Sequence, residues 1–209
     1  MIRTLRCLPP ILLLLLAACG ALTGKKDPFT VYSLRYTPPA GAASAERVEW
    51  QLAIDTPLSS DALDTSHMLV MPTPGAIESY KGARWSDGTP MLLRSLLLQA
   101  FQDSGRITGV GAITSGLHAD YSLTIDLYDF ETQYRDGSPN AVIRLNAKLN
   151  DFSVNRIRAA RTFEVSTPVA GSDAAQAAAA FNQALNDLLP QIVEWTFEQG
   201  QLNWARAAR

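Results

Sequence analysis

Apolar and polar residues alternate most regularly in the second half of the chain. In Tyr121 to Leu127, Tyr121, Leu123, Ile125 and Leu127 share one face. In Ala141 to Phe152, Ala141, Ile143, Leu145, Ala147 and Leu149 oppose Arg144, Asn146 and Lys148. In Ile157 to Val165, Ile157, Ala159, Phe163 and Val165 line up. A period of two with one apolar face is the pattern of a half-buried strand. Turn residues join the three runs, Asp136-Gly137-Ser138-Pro139 and then Asn150 to Asn155. The simplest arrangement is an antiparallel meander with one wet face and one face on the core. The first half holds shorter runs. Arg47 to Ile54 alternates through Val48, Trp50, Leu52 and Ile54, and Phe29 to Tyr36 puts Tyr32, Leu34 and Tyr36 on its better core face. His67 to Met71, Ala76 to Tyr80 and the glycine-interrupted Ile107 to Ile113 are short strand candidates.

Two segments change to helical spacing. Leu92, Leu93, Leu96, Leu97, Ala100 and Phe101 form a wide stripe suited to a helix lying on a sheet. Thr89 is placed to cap its start, with Pro90 at the first helical position and Gly105 at its end. Phe181, Leu185, Leu188, Ile192 and Trp195 mark a second helix from Asp173 to about Gln199, with Ser172 as its cap. Pro190 lies inside it and predicts a kink or break near Leu189, because an internal proline removes a hydrogen bond at about 3 kcal/mol. Residues 201–209 read as a flexible tail. The expected fold is α+β: a mostly antiparallel sheet with two main helices packed on it.

The N-terminal stretch follows a different rule. Arg3 and Arg6 precede the run from Leu8 to Leu16, then Ala17, Ala18 and Cys19. A basic start, an apolar run and small residues make a secretory signal peptide. The cysteine directly after them resembles a bacterial lipobox, in which Cys19 becomes the first mature residue and is acylated. The alternatives are an ordinary signal peptide cut elsewhere or a short membrane helix. A spanning helix needs about 20 residues, roughly twice this run, and Pro9 and Pro10 interrupt it. The organisation expected is therefore a signal peptide over 1–18, a lipidated tether over 19–28 and one domain over 29–200. Gly20 is not the aspartate that retains Gram-negative lipoproteins in the inner membrane, so the expected site is the periplasmic face of the outer membrane.

Composition narrows the chemistry. Removing residues 1–18 from 209 leaves 191, with 16 basic and 20 acidic residues. That is enough for one real core, and its mildly acidic charge gives no support to nucleic-acid binding. Cys7 leaves with the signal and Cys19 carries lipid, so the mature domain has no disulfide. The catalytic search finds little. His67 and His118 have no second histidine or carboxylate at metal-ligand spacing. Ser115 lacks the flanking glycines of a nucleophile elbow, and Gly109 to Thr114 lacks the third glycine of a dinucleotide loop. Asp126, Asp129 and Glu131 cluster near a strand end, where solvation and turn capping explain them more simply than catalysis. The reading is a non-enzyme with no catalytic or metal residues and no cofactor beyond a diacylglycerol and an N-acyl chain on Cys19.

Trp50 and Trp195 lie on apolar stripes and are expected in the core, whereas Trp204 falls in the tail. Tyr80, Arg84 and Trp85 read as a loop of the composition favoured at binding hot spots. They are the candidate partner-binding residues. Trp85 could equally close the core over the first helix.

Several stretches together resemble the ABC-type transport auxiliary lipoprotein family. They are the lipobox, Tyr32-Ser33-Leu34, Tyr80-Lys-Gly-Ala-Arg84-Trp85, Leu127-Tyr-Asp129-Phe130-Glu131, Arg144-Leu-Asn-Ala-Lys-Leu149 with Asp151, and Ala180-Phe181-Asn182-Gln183-Ala184-Leu185. The resemblance implies a non-catalytic lipoprotein that accompanies MCE-domain proteins and an ABC permease and ATPase in lipid transport across the Gram-negative envelope. It would sit at the outer membrane and contact the periplasmic MCE component. Some members of the family assemble into rings, which leaves a homo-oligomer open for this chain. The rival readings are a lipid-binding carrier or an assembly lipoprotein for outer-membrane proteins, which require an apolar cavity of roughly 300–1,000 Å³ between helix and sheet.

Overall fold

The computed structural model describes residues 28–39 and 46–207. The expected signal peptide, Cys19 and the tether up to residue 27 lie outside the described residues. Strands β1 (Thr30–Tyr32), β2 (Leu52–Ile54), β3 (His67–Met71) and β4 (Glu78–Trp85) precede helix α1 (Thr89–Asp103). Strands β5 (Val110–Ala112), β6 (Tyr121–Arg135), β7 (Ser138–Asp151) and β8 (Arg156–Pro168) follow, and helix α2 (Ala174–Ala207) ends the chain.

The meander forms as the alternation requires. β6, β7 and β8 pair antiparallel in sequence order. Ala141, Ile143, Leu145, Ala147 and Leu149 are fully buried, as are Leu123, Ile125 and Leu127 of β6. The other strands join β6 on its free side as two wings. β3 runs parallel to the C-terminal half of β6 through Val70↔Thr132, and carries β4 and then β1 outward. β2 runs parallel to the start of β6 through Leu52↔Tyr121 and carries β5. The sheet is thus mixed, antiparallel between its longest strands and parallel at most of the short ones. The α+β expectation holds, with both helices packed against strands of this sheet.

Two aromatic clusters fill the space between helices and sheet. Phe130 stacks on Phe181 of α2 at 4.8 Å, and Trp85 meets Phe181 edge-on at 5.4 Å. Near the other end Trp50 packs edge-on against Tyr121 at 5.4 Å, and Phe197 lies against both Trp50 and Phe101. Burying such a side chain is worth roughly 1.5–3 kcal/mol, so these clusters tie both ends of α2 to the sheet.

Four local expectations are corrected. Tyr80 to Trp85 is the body of β4, not a loop. Its pairing with β3 jumps from His67↔Arg84 to Leu69↔Ser79, and Gly82 takes up the irregularity at φ +67°, a conformation that favours glycine. At α1 the N-cap is Gly88, while Thr89 is buried and its hydroxyl donates to the Thr65 carbonyl at 3.0 Å. α2 passes Pro190 without a break. Leu188, Leu189, Ile192 and Val193 are all buried around it, and that burial offsets the lost hydrogen bond of about 3 kcal/mol. The same helix continues through residues 201–207, which are helical rather than a frayed tail.

Candidate interaction surface

The sequence-derived site residues do not form a common surface. Trp85 is 2 % exposed and belongs to the Phe130–Phe181 cluster, so it closes the core rather than greeting a partner. The Tyr80 hydroxyl is buried, and burial raises its pKa above the usual tyrosine value. Arg84 alternates to the other face of β4, where its guanidinium lies 4.9 Å over the ring of Phe29. Arg84 and Trp85 point apart because adjacent strand residues alternate between faces, while Tyr80, on the other side of the irregularity at Gly82, packs against the core as Trp85 does.

The polar face of the meander satisfies itself. Asp126 pairs with Lys148 and Asp129 with Arg144 across β6 and β7. Asn146 donates to the Thr162 hydroxyl at 3.0 Å across β7 and β8. Glu131 is buried, and its carboxylate accepts from the Phe130 amide and the Gln133 side-chain amide, both at 2.7 Å. Burial dominates those bonds and raises its pKa. These acidic residues make cross-strand pairs and local bonds. His67 and His118 are exposed, and the His67 ring lies 3.1 Å from the Thr65 hydroxyl. Among the described residues no group of His, Cys, Asp and Glu is arranged to hold a metal.

One of the exposed apolar surfaces lies at the end of the molecule where the last hairpin turns. The β7–β8 hairpin carries Phe152, Val154 and Ile157, exposed by 48, 47 and 59 %. The alternation had placed Ile157 on the core face, but the register of β7 and β8 shifts beside Asn150 and turns it outward. The turn beneath these side chains is clamped. Asp151 accepts from the Ser153 amide at 2.8 Å and from Arg158 Nε and Nη2 at 2.9 and 2.8 Å. Burial alone would raise the Asp151 pKa, but the bonds from Ser153 and Arg158 outweigh it and hold the carboxyl below its usual range. Asn155 adopts φ +51°, which asparagine tolerates better than most residues.

The end of α2 completes this pole. Trp204 and the hairpin residues Phe152 and Ser153 line a cleft of about 320 Å³ over Tyr121 and Asp151. On its other side, Phe197, Leu202, Ala205 and the Arg106 side chain line a mostly apolar groove of about 510 Å³. Arg106 lies 4.2 Å over the Phe197 ring and pairs with Glu194. Gly200 permits this packing, because a Cβ there would stand 2.5 Å from the Trp50 ring. The opposite wing is held differently. Asn182 and Asn186 of α2 accept from the Arg35 and Thr37 amides at 2.8 and 2.7 Å, pinning the chain that leaves β1.

Known proteins supply the family. A profile described as the ABC-type transport auxiliary lipoprotein component matches residues 32–193. The chain is 38 % identical to a Xanthomonas campestris protein of known crystal structure, with a TM-score of 0.78 over 84 % of this chain and 99 % of that one. A second crystal structure, of an uncharacterised protein, shares the fold at 15 % identity and a TM-score of 0.60, over 79 % of this chain and 98 % of that one. An uncharacterised protein of Bradyrhizobium diazoefficiens is 30 % identical over 185 residues, 87 % of this chain. The chain spans about half of that curated relative, 49 % of its length. By the profile match across most of its sequence, this chain belongs to the ABC-type transport auxiliary lipoprotein component family.

Proposed function

We propose that this auxiliary lipoprotein is anchored through Cys19 at the periplasmic face of the outer membrane and docks the periplasmic MCE-domain protein of an ABC-type lipid transporter. The observation that carries the docking role is the hairpin pole: large apolar side chains in water, held on a turn clamped by Asp151. Interface cores are built from such groups, with few unpaired charges among them. The tether supports the geometry. Pro28, where the described chain begins, lies against Gly82 of β4, in the wing that joins β6 near Thr132. The hairpin pairs at Tyr121, eleven residues away along β6, which is on the order of 35 Å. A lipid on Cys19 would hold one end of the domain and leave the other facing away. The eight residues between Cys19 and Pro28 set its reach at roughly 30 Å when extended. In this role the domain acts by position and grip, and it needs no catalytic group.

The carrier reading finds less support. The space between helices and sheet is filled by fully buried side chains such as Leu93, Leu97, Phe101, Leu188 and Ile192. Both clefts at the pole have volumes within the range of ligand pockets; one lies between the hairpin, the start of β6 and Trp204, and the other runs along the end of α2 beside Arg106. Changing Cys19→Ala should abolish acylation and release the folded domain from outer-membrane fractions. Full retention of the variant in those fractions would contradict the anchor.

A further inference from the structure

A second exposed apolar group sits where the chain enters the domain. Phe29 and Val31 are 51 and 54 % exposed on β1, at the outer edge of the sheet. Val31 pairs in register with Arg84, so both lie on the face opposite Tyr32 and the buried Trp85. The Arg84 guanidinium covers the Phe29 ring, and Lys81 is exposed on the same strand. Among the described residues neither Lys81 nor Arg84 has a carboxylate within ion-pair distance. The sequence just upstream adds Lys25, Lys26 and Asp27, a net single positive charge, with Cys19 nine residues before Pro28.

We infer that Phe29, Val31, Lys81 and Arg84 form a seat for the membrane leaflet that holds the lipid anchor, with anionic headgroups as the ligand. This rests on the proposed acylation of Cys19. Apolar side chains flanked by cations enter the headgroup boundary, where basic residues are drawn to anionic lipid. The short tether keeps the patch within reach, so even weak contacts act at high effective concentration. A seated β1 edge would fix the tilt of the domain and aim the hairpin pole away from the membrane.

The mature chain has no free thiol once Cys19 is acylated, so a single introduced cysteine can be labelled cleanly. The full acylated protein, carrying an environment-sensitive fluorophore at Val31→Cys or at Ile157→Cys, is reconstituted on vesicles. One set is phosphatidylethanolamine and phosphatidylcholine alone, and the other contains a quarter phosphatidylglycerol. The label at 31 should shift to the blue and resist an aqueous quencher on the anionic vesicles only, while the label at 157 stays quenchable on both. Lys81→Glu with Arg84→Glu should weaken the protection at least fivefold, since each lost cation near an anionic surface is worth roughly that factor. Protein that floats with vesicles while the label at 31 stays fully quenchable overturns the seat and leaves the anchor standing. Protection at 157 instead of 31, or protection that ignores lipid charge, also overturns it. Protein that does not float at all overturns the anchor and the seat together.

Discussion

The hairpin pole and the β1 edge both hold large apolar side chains in water, yet most of the nearby cations are paired at the first and unpaired at the second among the described residues. At the pole, Arg158 is bonded to Asp151 and Arg106 to Glu194, and Arg156 beside Ile157 is the cation of the hairpin without a carboxylate partner among the described residues. At the edge, Lys81 and Arg84 have no carboxylate partner among the described residues. Cations already bonded to carboxylates contribute little net charge, and such a surface suits a protein partner, whose interface core excludes unpaired charge. Apolar groups beside unpaired cations suit a surface that supplies many anions at once. On the proposed reading, exposure alone does not define a docking site; the pairing state of the surrounding charges is what would separate a protein partner from a membrane.

The largest expected effect comes from breaking the pole. Gly200→Val would push a branched side chain into the buried Trp50 ring, where even a Cβ stands at 2.5 Å. Overpacking of this kind costs about 1–3 kcal/mol, readable as a lower urea midpoint. The pinned segment after β1 should keep its amide protection, because Asn182 and Asn186 lie far along α2 from residue 200. Loss of protection there would show that the two ends are one cooperative unit.

A smaller loss is expected from loosening the hairpin. Asp151→Asn removes the charge that Arg158 and Ser153 bind, at about 1–2 kcal/mol. Its folded pKa is lowered, so its contribution is complete above the ordinary aspartate value near 3.9. That contribution is lost as pH falls through the lower folded value. The acid limb of the stability–pH curve should therefore flatten in the variant, and an unchanged limb would contradict the role given to Asp151. The smallest effect belongs to the edge. Asn186→Ala frees the Thr37 amide and the Arg35 carbonyl, which costs about 1 kcal/mol. Amide exchange should quicken at residue 37 and leave the hairpin unchanged.

The same contrast explains what the sequence could tell. The meander was readable because β6, β7 and β8 are long, alternate cleanly and pair with their neighbours in sequence. The wings were not, because β1, β2 and β5 have three residues each and their parallel partners are remote in the chain. β4 was hidden by the irregularity at Gly82, which interrupts the period of two across Tyr80 to Trp85. Trp85 therefore reads equally as a binding residue or as core, and what decides it, burial against Phe130 and Phe181, comes from distant residues no local pattern connects to it. The pole was missed for a similar reason. Ile157 keeps the apolar period of β8, and only the register shift beside Asn150 reveals that it faces water. Phe152 reads as a strand end, and Trp204 as tail, until α2 is seen to bring the second against the first.

On the proposed function the hairpin pole, not the β1 edge, grips the transporter. A photoreactive amino acid placed at Val154 or at Val31 of the acylated protein, activated in intact cells, tests this directly. A covalent adduct between position 154 and an MCE-domain protein, absent from position 31, is the result expected. An adduct with that protein from position 31 alone, or from neither position, would contradict the claim.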